Sequence, residues 1–211
     1  VTVVIADACA NALLDSAVAA GLTTTPHLSL HTGFPPAGGN ELTGGSPAYA
    51  RKPFTFSAAA GRAKAMSAAQ TFDVPAGTTV RAVGNYDALT AGTQKTWSPA
   101  GASARRAFSV DSAGVTANDI FSPAHGLVAG NSVLVWATIG AALPTGLAED
   151  TEYFVIATGL TTDAFRLATT LGGSAIDITA IGDGDVQKFT PEVFAGQGTY
   201  QVTTYTVSLP N

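Results

Sequence analysis

Apolar and polar residues change rhythm once along this chain, near residue 25. Before that point Ile5, Cys9, Ala12, Leu13, Ala17 and Ala20 recur at helical spacing, with Asp7, Asn11 and Asp15 as a polar stripe at i, i+4 and i+8. The pattern predicts one helix, closed by Gly21. An alanine-rich helix this short is marginal alone and must dock on something. After residue 25 the period shortens to two. "HLSLH" (27–31) sets Leu28 and Leu30 against His27, Ser29 and His31, and "KPFTFS" (52–57) puts Phe54 and Phe56 on one face. "QTFDVPAGTTVRAVGNYDA" holds two strand-like runs around a Pro-Ala-Gly turn. In "TYQVTTYTVSLP", Tyr200 and Val202 share one face while Tyr205, Val207 and Leu209 share the other. That phase change predicts a bulge or sheet switch near Thr203–Thr204.

From about 107 to 190 the runs are short and evenly spaced: "AFSV", "DIF", "SVLVWAT", "TEYFVIAT", "AFRLAT", "AIDITAI" and "VQKF", separated by Gly, Pro, Asp or Asn. Such spacing predicts a small all-β domain. Charge changes at the same place. Residues 109–190 carry Arg166 and Lys188 against nine acids, a net of −7, while the rest holds eight bases and six acids. The expected organisation is therefore a base module, residues 1–106 plus 191–211, interrupted by an acidic inserted module at 107–190. Insertions succeed at loop tips whose ends lie close together, so the insert should project into solvent. A slightly basic base module would suit an acidic docking platform.

Composition narrows the function. Charged residues are 12% of the 211, about half the usual share. Many small residues and little charge fit a surface partly covered by neighbours. The net charge of −5 gives no reason to expect a nucleic-acid partner. No apolar run reaches 18 residues, so no membrane span is expected. The first segment lacks a basic start and carries Asp7 and Asp15, so it reads as a helix rather than a leader. The single cysteine, Cys9, has no disulfide partner in the chain and reads as a buried, inert thiol.

Candidate chemistry is sparse. His27 and His31 are too far apart on a strand for one zinc, and His125 lies about a hundred residues on, so they read as exposed or interface histidines. Ser29 beside them lacks a G-x-S-x-G elbow. Glu149, Asp150 and Glu152 cluster in "LAEDTEYF" but read as a solvated turn rather than paired catalytic carboxylates. "IGDGDV" has part of a calcium loop without its remaining ligands and reads as a turn between strands. Trp136 and Tyr153 alternate with valines, which favours core packing over a sugar platform. No enzyme, metal or cofactor is expected. The glycine-rich stretch "LHTGFPPAGGNELTGGSPAYAR" (30–51) has no following helix to receive a phosphate. Asn40 and Glu41 stand between its two glycine turns, Pro35 and Pro36 stiffen the approach, and Arg51 is placed to pair with Glu41.

The order Leu30-His31-Thr32, Asn40-Glu41, Gly44-Gly45, Tyr49-Ala50-Arg51 and Gly84-Asn85-Tyr86-Asp87-Ala88, closed by "YQVTTYTVSLPN", resembles a family of small tailed-phage virion proteins. Its members are variously named tail-fibre, minor tail or head-decoration proteins. "ADACANALLD" is similar to the opening helix of related phage proteins. Asp119-Ile120-Phe121, "PAHGLVAGNSVLVW", "LPTGL", "EYFVIA" and "AFRLATTLGG" resemble a second recurrent phage module. The resemblance implies an all-β fold, with a β-sandwich base (a jelly roll is one form), one short N-terminal helix and an inserted small β-domain. It implies a structural role on the virion, decorating the head through the base module, with other virion proteins as partners and a homo-oligomer, a trimer first. The alternative is a tail-fibre or minor tail protein that binds host glycans. On either reading Asn40, Glu41, Tyr49 and Arg51 form an assembly loop.

Overall fold

The computed structural model describes residues 6–20, 26–34 and 40–209. Ile5, Gly21, Pro35 and Pro36, named above, lie outside the described residues. The chain forms two compact units: residues 1–98 with 192–211, and residues 99–191. Strands dominate both, so the molecule is all-β, as the alternation predicts.

The first unit opens with helix α1 (Asp7–Ala20), then β1 (His27–His31), β2 (Lys52–Pro53), β3 (Ala63–Ala65), β4 (Gln70–Val74), β5 (Thr78–Val80), β6 (Ala82–Tyr86) and β7 (Gln94–Pro99). An antiparallel sheet runs in the order β2-β1-β6-β7, with His27 opposite Tyr86 and His31 opposite Ala82. The second unit follows, with β8 (Arg106–Val110), α2 (Ser112–Ala117), β9 (Ile120–Phe121), β10 (Ser132–Ala137), β11 (Tyr153–Val155), β12 (Ala164–Phe165), β13 (Leu167–Ala168) and β14 (Gly182–Phe189). The chain then returns to the first unit as β15 (Glu192–Phe194), β16 (Gly198–Val202) and β17 (Thr206–Ser208). These pair in turn with β5, β4 and β3. The phase change expected near Thr203–Thr204 is a change of partner, since β16 and β17 flank that point and join different strands.

Helix α1 docks by its polar side. Asn11 Oδ1 accepts from Arg62 N at 2.9 Å, and Asp15 Oδ1 accepts from Lys64 Nζ at 2.6 Å and Ala59 N at 3.1 Å. Ala10 and Leu14 are buried beside that stripe, whereas Leu13 is half exposed and Cys9 is exposed. The buried thiol expected from sequence is therefore corrected. The reason is local: the segment carrying Arg62 and Lys64 offers cations and backbone N–H groups, and the carboxylates turn toward them. No helix among the described residues is long and apolar enough to cross a membrane.

The second unit is a seven-stranded sheet, β12-β9-β8-β14-β10-β11-β13. Its core gathers Phe108, Val110, Ile120, Val133, Val135, Tyr153, Phe165 and Val186. Two expectations shift. "IGDGDV" is no turn but the start of β14, the longest strand, paired from Gly182 to Val186 with β8. A Cβ at Gly184 would stand 2.5 Å from the Trp136 carbonyl oxygen and 2.7 Å from the Phe108 ring, so glycine is there to let that ring lie against the strand. Conversely "AIDITAI" forms no strand: Ile176 N bonds to Leu167 O, and Ile178 N to the Asn118 side chain. Helix α2 adds one element the pattern did not predict. Asp111 caps it by accepting from Gly114 N at 2.8 Å, and Asn118 ends it at φ 61°.

The division also relocates charge. Arg105 and Arg106 fall in the second unit, giving it four bases against nine acids and leaving the first with six of each. A neutral first unit removes the electrostatic case for an acidic platform.

Candidate functional site

The glycine-rich stretch is organised around Arg51. Its Nε donates to Glu41 Oε1 at 2.8 Å and its Nη2 to Glu41 Oε2 at 2.6 Å, a two-pronged pair. Nη1 donates to the carbonyls of Ala88 at 2.8 Å and Ala91 at 2.5 Å. The guanidinium carbon lies 3.6 Å from the centre of the Tyr86 ring, stacked for a cation–π contact. One side chain thus joins the loop at 41, the turn at 88–91 and the end of β6. The hydrogen-bonded Glu41 carboxylate raises the Arg51 pKa above its ordinary value against the opposing effect of burial.

Tyr49 completes the arrangement. Its hydroxyl accepts from Leu30 N at 2.9 Å and donates to Glu41 Oε1 at 3.2 Å, tying the loop to β1. Burial pushes its pKa well up. Glu41 also makes an isolated antiparallel bridge with His31, and Leu42 N donates to Leu30 O at 3.0 Å. Asn40 sits at φ 61°, a left-handed shape that asparagine tolerates, and its carbonyl accepts from Thr32 N at 2.8 Å. Further along, Gln197 holds the next turn, accepting from Ser46 N and donating to Pro47 O. The four residues singled out from sequence therefore lie together: Glu41, Tyr49 and Arg51 in one network, with Asn40 at its edge. Outside them, residues 43–48 are exposed. Sequence reasoning missed Tyr86, Ala88, Ala91 and Gln197; the tyrosine stood in the family pattern, but nothing in the sequence shows that its ring lies under Arg51.

The catalytic candidates resolve differently. Ser29 Oγ and His31 Nε2 share a hydrogen bond of 2.8 Å, but both residues are wholly buried. Gly84 closes over them, since a Cβ there would sit 2.6 Å from Ser29 Oγ and 2.8 Å from His31 Nε2. No substrate reaches such a pair, and its role is packing inside the sheet. The expectation that His31 is an exposed or interface histidine is corrected, since it is wholly buried: β1 is a central strand, flanked by β2 and β6 and covered on both faces. His125 is also structural, its Nδ1 accepting from Leu127 N at 2.9 Å. Glu149 and Asp150 are exposed, and Glu149 Oε1 accepts from Ala137 N at 2.9 Å. Tyr153 is core, whereas Trp136 is half-buried under Arg105, 3.8 Å from its ring centre. No group of three or more His, Cys, Asp or Glu among the described residues is placed to hold a metal ion.

The polar network around Arg51 locks a surface loop onto the sheet of the first unit. The sequence model of the family described as Podophage GP4 fiber I protein gp80 matches residues 4–122, more than half of the chain, and the chain belongs to that family. It is a phage fibre-type, virion-associated structural protein. The match ends inside the second unit, in β9 and the residue after it. No curated protein and no solved structure matches the chain.

Proposed function

We propose that the chain is a non-enzymatic subunit of a phage tail fibre, built as a homo-oligomer, a trimer first. Its first unit joins the particle and its second unit is the module presented to the host surface. The observation that carries this reading is the loop at 40–51: an exposed segment held rigid by Arg51 is preorganised for a protein partner and loses little entropy on binding. The family match supports it, because it takes in residues 4–98 of the first unit. The fibre description of the family favours a tail position over head decoration. In the test, Thr43→Glu and Ala48→Glu are introduced together, at exposed positions of the loop. The variant should fold normally and be absent from purified particles. Normal incorporation of a folded variant would contradict the proposal.

A further inference from the structure

The second unit carries an excess of acid, yet among the described residues only one of its four cations meets an acid. Of its four bases, Arg166 Nε donates to Asp119 at 2.6 Å and Arg105 lies over Trp136. Arg106 and Lys188 remain. The strand register places them together. Arg106 is opposite Val186 on β8 and β14, and Lys188 follows two residues later on the same face, opposite Val133. That face is the core face, which carries Phe108, Val110, Val133 and Val186. At its end the core opens into a cleft of about 280 Å³, walled by both cations, Ser103 and Ala104 and floored by His125, Leu127 and Val186. Neither cation forms an ion pair with any described residue, and none of the unit's nine acids lines the cleft.

We propose that this cleft binds one uronate residue of an acidic polysaccharide, with its carboxylate between Arg106 and Lys188. The proposal rests on the reading of the second unit as the module presented to the host. Two cations on one rim supply charge-assisted hydrogen bonds to a carboxylate. Leu127 and Val186 offer an apolar floor to the C–H face of a ring, a surface that a bare ion does not need. His125 does not compete for the anion, because its Nδ1 accepts from Leu127 N and its Nε2–H is turned to the Ala164 carbonyl at 3.3 Å. The volume is at the small end for ligand sites, enough for one sugar rather than a folded peptide segment. Ser103, Ala104, Arg106 and Gly126 are exposed, and a Cβ on Gly126 would meet nothing within 4 Å, so the polymer can continue out of the cleft.

The test is a titration of the ¹⁵N-labelled full chain, followed by amide chemical shifts. The probes are a galacturonic acid trisaccharide, its methyl ester, inorganic sulfate and a tri-glutamate peptide. Saturable shifts confined to residues 103–106, 125–127 and 186–188 are expected with the acidic trisaccharide. The neutral ester should bind about tenfold weaker or worse, and Arg106→Gln and Lys188→Met should each lose about tenfold, as the removal of one charged hydrogen bond implies. Both variants alter rim side chains, and their remaining amide spectrum reports that the fold is kept. Absence of saturable shifts, equal binding of the ester, or equal binding of sulfate or tri-glutamate would each overturn the proposal. None of these outcomes touches particle incorporation, so the assembly reading stands or falls separately.

Discussion

Replacing Arg51 by alanine removes both prongs to Glu41, two carbonyl contacts and the stack on Tyr86. It also strands a carboxylate. The Arg51 side chain is 9% exposed and that of Glu41 18%, so the pair is mostly but not wholly out of water. Removing one partner of a buried pair costs about 3–5 kcal/mol, and the residual exposure of Glu41 argues for about 3 kcal/mol. For a unit of this size that is a fall in Tm of roughly 10 °C. Calorimetry measures the fall, and hydrogen exchange shows where it acts: the amides of Thr32, Leu42 and Tyr49, bonded across the loop, should lose protection first. Adding Glu41→Gln to Arg51→Ala should recover about 1 kcal/mol, because the stranded charge is gone. Arg51→Lys should fall in between, since an ammonium keeps the charge but not the fork. A Tm change under about 3 °C with unaltered exchange at those three amides would refute the clamp.

Other perturbations probe the rest of the first unit. Asp15 has its pKa lowered by the hydrogen bond from Lys64 and by Ala59 N–H. Its contribution is therefore complete above the ordinary aspartate value of 3.8 and fades as pH falls through the lowered folded value. Wild-type helix amides should lose exchange protection in that acid window, and Asp15→Asn should show the loss already at neutral pH; identical acid profiles would contradict the docking. Asn85 is wholly buried, and neither atom of its amide has a partner among the described residues, so Asn85→Leu should raise stability by about 1 kcal/mol in urea unfolding, and a loss would show that the amide is satisfied. Gly84→Ala drives a methyl into the Ser29–His31 hydrogen bond and should cost about 1–3 kcal/mol, with an unchanged midpoint counting against the close approach.

The strands were legible where their residues alternate or run apolar against a partner that shares the pattern, as in "HLSLH" and "SVLVWA". Legibility failed where one residue's fit decides the element. "GDGDV" looks like a turn until Phe108 is seen lying on Gly184, and "AIDITAI" looks like a strand until its amides are found serving Leu167 and Asn118. The stripe on α1 was visible but its direction was not, because Arg62 and Lys64 come about fifty residues later. In the loop the opposite charges of Glu41 and Arg51, ten apart across a glycine turn, announced their pairing. The carbonyls of Ala88 and Ala91 did not, since any residue has a carbonyl and only tertiary structure aims one. The cleft of Arg106 and Lys188 was hidden for the same reason: 82 residues separate two cations that share one sheet face.

The measurement that tests the account most directly is the copy number of this chain on purified particles, by quantitative mass spectrometry against the major capsid and tail proteins. A tail-fibre subunit should be present in a fixed ratio to the tail proteins, at a multiple of its own oligomeric number and far below the capsid protein. Absence from the particle, or a count that follows the capsid protein, would contradict it.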